Sequence, residues 1–395
     1  MISAKQLLFN INRKPVLVAA QEALLACFII LSPVYKCLEF TIAGFSPNTI
    51  LIGLLIFFYA LNTPHIISRG FPAFLSFIVL GVFCAELVFA AGENHIGWVL
   101  SVLLYVCFLQ TDERVSFDLL YKSFLIATIV AAFFSLLVGF SGGVMTRTAT
   151  LVDGSIAPIA ITVALFGDNR SEKKPSLAFD ILKATSVLSS MVVLALGMSR
   201  ARFLIVGVCF VLYGVTGLFR LLQNGKETAA KSSILLYGIV TALSVLILLI
   251  TGILQQFFEP IINRFFNEGL DSMGRDVEKE YGMNMFRAHS FFGGGWDVFT
   301  LQDLDGSFVS YNNHNAYIAI LSRGGLLMAV PTFLSYALLV GRALHIRKTS
   351  HMAWVLVFVF LALSYGNAGL FNYTICSMIP LVVLDIKRGL NDENP

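Results

Sequence analysis

A histidine set among asparagines stands where the longest polar stretch of the chain meets an apolar run. The stretch reads Tyr311-Asn312-Asn313-His314-Asn315-Ala316-Tyr317 and is followed by Ser322-Arg323-Gly324-Gly325-Leu326. Polar groups beside hydrocarbon are costly unless they are satisfied or used. An imidazole there can take a proton from an incoming hydroxyl. The plainer account of His314 is a cap on the following helix or a bond to a loop carbonyl.

A second set of residues fits the same chemistry. On the side of the chain assigned to the outside lie Lys36, Arg147, Arg200, Arg202, Arg264, Arg275, Lys279, Arg287 and Arg323, seven arginines against two lysines. The sixteen basic residues assigned to the inside divide equally between the two types. Loop solubility is served by either residue, whereas a planar fork that grips phosphate oxygens in pairs belongs to arginine. Pairing with loop acids such as Asp271, Asp276 and Glu278 is the ordinary alternative for any one of them. Taken together, the arginines and His314 suit a lipid-anchored diphosphate donor, with guanidinium groups stabilising the departing pyrophosphate. A metal-dependent transferase would need clustered carboxylates. Asp303-Leu304-Asp305, with Asp297 before it, is the nearest approach, and an Asp followed by Gly306 is ordinary turn chemistry. Neither a metal nor another cofactor is expected.

These side chains must be positioned by membrane helices. The chain has 395 residues, 57% hydrophobic and 13% charged, with a mean hydropathy of +0.81, outside the range of soluble domains. An all-α polytopic membrane protein is expected, as one integral domain over 1–395. With a helix needing about 20 apolar residues to cross, twelve spans are predicted, at 16–35, 47–62, 71–91, 95–110, 116–140, 154–168, 178–198, 203–222, 233–256, 315–341, 352–367 and 370–386. Basic residues in the alternate connections place both termini in the cytoplasm. The net charge of +3 gives no support for a nucleic-acid partner. The six cysteines lie in or beside apolar spans without paired spacing and read as packing thiols.

Three outer pieces follow. Ser141 to Gly154 is a glycine-hinged loop carrying Arg147, and Gly197-Met198-Ser199-Arg200-Ala201-Arg202 is a tight turn between helices. The region 257–314 is too long for a plain connection and is expected to be a structured periplasmic loop. Within it, Arg275 to Arg287 reads as an amphipathic helix with Met283, Phe286 and Val277 toward the membrane, stopped by Gly293-Gly294-Gly295-Trp296. Pro158, Pro260 and Pro331 predict breaks or kinks. Arg323, nine residues past His314, falls about half a turn out of phase and is expected to face another wall or snorkel outward. His289 and His95 read as surface residues.

Four features resemble the O-antigen ligase and polymerase superfamily of bacterial envelope transferases. They are Ser199-Arg200-Ala201 at the outer end of a span and Arg275 ahead of Phe286-Arg287-Ala288-His289-Ser290-Phe291-Phe292-Gly293-Gly294-Gly295. The third is His314-Asn315-x-Tyr317 with Gly324-Gly325-Leu326, and Arg147 is a looser match. Phe291 stands where the family usually has proline. The resemblance implies a GT-C-like, inverting, metal-independent glycosyltransferase of the bacterial inner membrane, active at the periplasmic face. Its donor would be a glycan on undecaprenyl pyrophosphate and its acceptor a sugar hydroxyl. Arg200 and Arg275 would hold the pyrophosphate, helped by Arg147 and Arg202. His314 would activate the acceptor, supported by Asn315 and Tyr317. A ligase acting on lipid A-core is favoured over a polymerase acting on a second lipid-linked repeat. An exporter of the same lipid-linked glycan is a more remote alternative, because most charge sits at the outer rim rather than deep in the spans.

Overall fold

The computed structural model describes residues 14–38, 46–62, 78, 81, 95–139, 151–167, 177–197, 199–224, 275–295, 299–302, 308–311, 314–366 and 369–393. These are helical apart from turns and one short hairpin. In chain order the helices are α1 (Lys14–Leu31), α2 (Pro47–Asn62), α3 (His95–Leu109), α4 (Phe117–Gly139), α5 (Ile156–Phe166), α6 (Leu177–Gly197), α7 (Arg200–Asn224) and α8 (Arg275–Ala288). After the strands β1 (Phe299–Gln302) and β2 (Phe308–Tyr311) come α9 (Ala316–His345), α10 (Met352–Gly366), α11 (Tyr373–Cys376) and α12 (Ile379–Glu393). The antiparallel strands pair Phe299 with Tyr311 and Gln302 with Phe308, an addition to the helices expected in the long loop.

Three of these helices, α4, α6 and α9, are long and apolar enough to cross a membrane, and several shorter apolar helices accompany them. Helices dominate for a physical reason: inside a bilayer every backbone N–H and C=O must find its partner within the segment. Large apolar side chains such as Phe57, Phe133, Leu137, Leu177, Leu204 and Val211 stand exposed on the outside of the bundle. In water that would be an aggregation hazard; facing lipid it is the ordinary state. Inside, Phe28, Tyr59, Tyr105, Phe108, Phe124 and Phe360 are fully buried. Hydroxyl pairs tie the bundle together, Tyr59 of α2 with Thr111 in the turn after α3 at 3.0 Å, and, between helices, Tyr105 with Ser335 at 2.7 Å and Thr128 with Ser190 at 3.2 Å. Each interhelical bond of this kind contributes roughly 0.6 kcal/mol.

Helices cover ten of the twelve predicted spans, and the other two, 71–91 and 233–256, lie outside the described residues except for Ile78 and Gly81. Two spans differ from the expectation. The last, read as one stretch over 370–386, is a 3-10 turn (Gly369–Phe371), the single turn α11 and then α12, because the Asn372 side chain accepts from Ile375 N at 2.9 Å and starts a new helix there. The other is α9, whose interior is broken at Gly325, with φ 58° and ψ −162°. Pro331, where a kink was expected, keeps helical dihedrals. Of the other two prolines, Pro158 sits in the first turn of α5, where its missing N–H costs nothing, and Pro260 lies outside the described residues.

The break in α9 is filled from outside the helix. Gly294 N donates to Ser322 O at 2.7 Å and Gly295 N to Arg323 O at 3.1 Å. In return Leu326 N donates to Ser290 O at 2.8 Å and Leu327 N to Phe291 O at 3.1 Å. The groups freed by the interruption are thus paired, as a discontinuous membrane helix requires. Gly293 and Gly325 both have positive φ, and a side chain at either would collide with backbone, of Arg323 in the first case and of Phe291 in the second. The glycine run does not merely stop α8; it locks α8 onto α9.

Candidate active site

At the start of α9, Asn315 is buried and its side chain accepts from Tyr317 N at 3.0 Å and Ile318 N at 3.2 Å. This is an N-cap, worth about 1 kcal/mol. Tyr317 OH donates to Leu361 O of α10 at 2.9 Å, which holds the same turn against its neighbour. His314 is therefore not the cap. Freed from that task, it stands at the outer edge of the helix start with its side chain 49% exposed, and its Nδ1 lies 2.9 Å from Glu278 Oε2.

Glu278 belongs to α8, on the stripe that also carries Gly282 and Met285 and packs against α9. Arg275 begins this helix one turn before Glu278 on that stripe; its side chain is outside the described residues. The helix is amphipathic as expected, and Val277 is exposed while Met283 and Phe286 are half-buried. A hollow of about 130 Å³ opens beside the His314 and Glu278 pair, walled also by Lys279, Asn315, Ala201, Tyr365 and Gly366. Lys279 Nζ lies 5.7 Å from the centre of the Tyr365 ring.

Ala201 brings the third element to this hollow. α7 starts at Arg200, with Phe203 N donating to Ser199 O at 3.2 Å, so the first turn of the helix opens there. A helix start is a favourable place for an anion. The Arg200 side chain, like that of Arg275, is outside the described residues, but the backbone brings both helix starts to the cavity that His314 lines. Arg147 lies wholly outside the described residues, as does Asp303-Leu304-Asp305. Among the described residues no three His, Cys, Asp or Glu side chains gather into a possible metal site.

Arg202 is engaged elsewhere. Its Nη2 donates to Asp153 Oδ1 at 3.0 Å and to Ser155 Oγ at 3.2 Å, and both charged groups are largely covered, at 13% and 15% exposure. Asp153 also accepts from Ser155 N at 2.9 Å and from Asn372 Nδ2 at 2.7 Å. Burial alone pushes the Asp153 carboxyl up. The Arg202 charge and the Ser155 and Asn372 donors more than offset it, and hold the carboxyl below its ordinary range. This network ties the start of α7 to the turn before α5 and to Asn372, the cap of α11.

Arg323, expected to snorkel outward or face another wall, is only 3% exposed. It lies in the broken segment, and its carbonyl receives Gly295 N. Its neighbours Gly324 and Gly325 carried the signal for a break, but a hydropathy count does not register it. His289 is exposed, as expected, while the His95 side chain is outside the described residues. Sequence reasoning passed over Glu278 as a loop acid, and it left out Tyr365 and Gly366, which reach the hollow from the end of α10.

Residues 184–332 match the family model described as O-antigen ligase, a stretch that holds Arg200, Arg202, Arg275, Glu278, the glycine segment, His314 and Arg323. None of the curated proteins matches the chain. Residues 184–332, folded among membrane helices, are thus similar to the O-antigen ligase family.

Proposed function

We propose that this protein is a metal-independent, inverting glycosyltransferase that moves a glycan from undecaprenyl pyrophosphate to a sugar hydroxyl at the periplasmic face of the bacterial inner membrane. The observation that carries the reading is the single hollow shared by His314, the α8 helix that begins at Arg275 and the first turn of α7. Arg200 and Arg275 grip the diphosphate from two helix starts, and Arg202, paired with Asp153, holds the first of those starts in place. Arg147 belongs to the donor side by the same resemblance.

In the transfer step the acceptor hydroxyl gives its proton to His314 while its oxygen attacks the anomeric carbon. The bond from that carbon to the diphosphate oxygen breaks, and its electron pair leaves with the undecaprenyl pyrophosphate. Attack opposite the leaving group inverts the anomeric centre. Guanidinium groups neutralise the charge that develops on the leaving oxygens, the role elsewhere taken by a divalent cation.

The acceptor in this reading is lipid A-core, which makes the protein an O-antigen ligase. With the purified protein, His314→Ala should lower transfer by roughly 10²- to 10⁴-fold, leave donor binding nearly intact, and transfer by the native protein should persist in EDTA. Retained turnover in the alanine variant removes His314 as base. Deleting the gene and running the envelope glycan on a gel tests the acceptor. Core without attached glycan is the expected result, core bearing one repeat would mean a polymerase, and loss of the periplasmic lipid-linked repeat would mean an exporter.

A further inference from the structure

Imidazole in water prefers to carry its proton on Nε2, which leaves the wrong nitrogen free for a base that reaches outward from a helix start. Which nitrogen carries the proton is set by the bond the other one makes. Here a carboxylate oxygen lies 2.9 Å from His314 Nδ1. It comes from a different element, 36 residues earlier in the chain. That element is held in register by the four backbone bonds between the 290–295 segment and the break in α9.

The location of Glu278 calls for an explanation. It shares the hollow in which an anionic diphosphate is to be bound, and a carboxylate facing that donor would oppose the two arginines. Turned instead toward His314, its charge favours the imidazolium that appears as the acceptor proton is taken. Only the second use agrees with the chemistry of the hollow.

We infer that Glu278 is the positioning residue of the transfer: it fixes His314 with its proton on Nδ1, keeps the Nε2 lone pair open to the acceptor hydroxyl, and stabilises the imidazolium in the transition state. This rests on His314 being the base. Glu278 exchanges no atom in the step. The acceptor proton goes to Nε2, the glycosidic bond forms, and the bond to diphosphate breaks.

The test uses full-length protein in nanodiscs, labelled with ¹⁵N-histidine, with the His314 resonances assigned by their loss in His314→Ala. In the native protein Nε2 should show the shift of an unprotonated ring nitrogen, and in Glu278→Ala and Glu278→Gln it should move toward the protonated form. Turnover is followed with lipid-linked glycan extracted from cells lacking the gene and lipid A-core from the same cells. Glu278→Ala should lower kcat by at least about 10²-fold, within the roughly 10⁴-fold that a wrong tautomer costs a serine protease, with the donor KM unchanged within about twofold. Glu278→Asp should recover part of the loss. Glu278→Gln is nearly isosteric and keeps the test open if the alanine variant does not fold. Native-like kcat in Glu278→Gln, or ring-nitrogen shifts that no Glu278 variant moves, overturns the inference. A failed base reading is recognised separately, because His314→Ala would then retain turnover whatever Glu278 does.

Discussion

Two arginines, Arg200 and Arg202, stand one residue apart at the same helix start and differ in what is asked of them. The Arg202 guanidinium gives both of its side-chain bonds from a single nitrogen, so an ammonium can stand in for it. Arg200 is assigned to a diphosphate, where the paired geometry of the fork matters. Arg202→Lys should therefore keep transfer within about threefold and Arg200→Lys should lower it more than about tenfold, the difference lying in one lost phosphate bond of about 1.5 kcal/mol or more; equal losses would refute the division of roles. Asp153 adds a pH dependence. Its carboxyl is held lower in the folded protein than in the unfolded chain, so its contribution is complete above the unfolded value of about 3.9 and fades as pH falls through the lower folded value. Thermal inactivation in detergent should accelerate as pH falls below about 4, and Asp153→Asn should remove most of that change at the cost of a less stable protein at pH 7.

At the scale of elements, the fit between the glycine segment and the interrupted helix is the part of the site least tolerant of added bulk. Gly293→Ala places a methyl group on the Arg323 carbonyl and forces a positive φ on alanine. It should push α8 away from α9, part Glu278 from His314 and lower transfer by roughly 10²-fold, the cost of a misplacement near 1 Å. Gly341→Ala in the same helix α9 meets nothing within 4 Å and should leave transfer unchanged; equal effects of the two substitutions would show that the segment has no special role. The residues of this device were visible in the sequence as Gly293-Gly294-Gly295 and Gly324-Gly325, and their use was not. An apolar run of suitable length reads as one continuous span, because hydropathy sums side chains while the break resides in a backbone dihedral and in hydrogen bonds to residues about thirty positions away. The same limit hid Glu278. A loop acid three residues after an arginine reads as a partner for that arginine until the fold turns the helix toward His314.

For the molecule as a whole, the polar groups separate into two ends, and this much could be read from the spacing of the spans and the basic residues. At one end lie His314, Glu278, Ala201, Gly366 and the network of Asp153, Arg202 and Asn372. At the other, Lys387 Nζ donates to Thr111 O at 2.8 Å, the Arg388 guanidinium lies 4.4 Å from the Phe117 ring, and Gly389 packs against Ile346. Helix α9 joins the two ends. Beyond the break at Gly325 it runs unbroken through 326–345, a rise of about 30 Å that matches the roughly 30 Å of hydrocarbon, and the proposed orientation puts His314 and Arg347 on opposite sides of the bilayer. Arg342, Arg347 and Lys348 gather at the far end of α9, which the preference of basic residues for the cytoplasm assigns to the inside. A cysteine placed at Glu280, exposed on α8, should then react in intact spheroplasts with a membrane-impermeant maleimide, above the background of the native thiols. One placed at Arg347 should react only after the membrane is opened. The reverse pattern would put His314 in the cytoplasm, where the acceptor core is not presented on the outer leaflet and the proposed transfer could not take place.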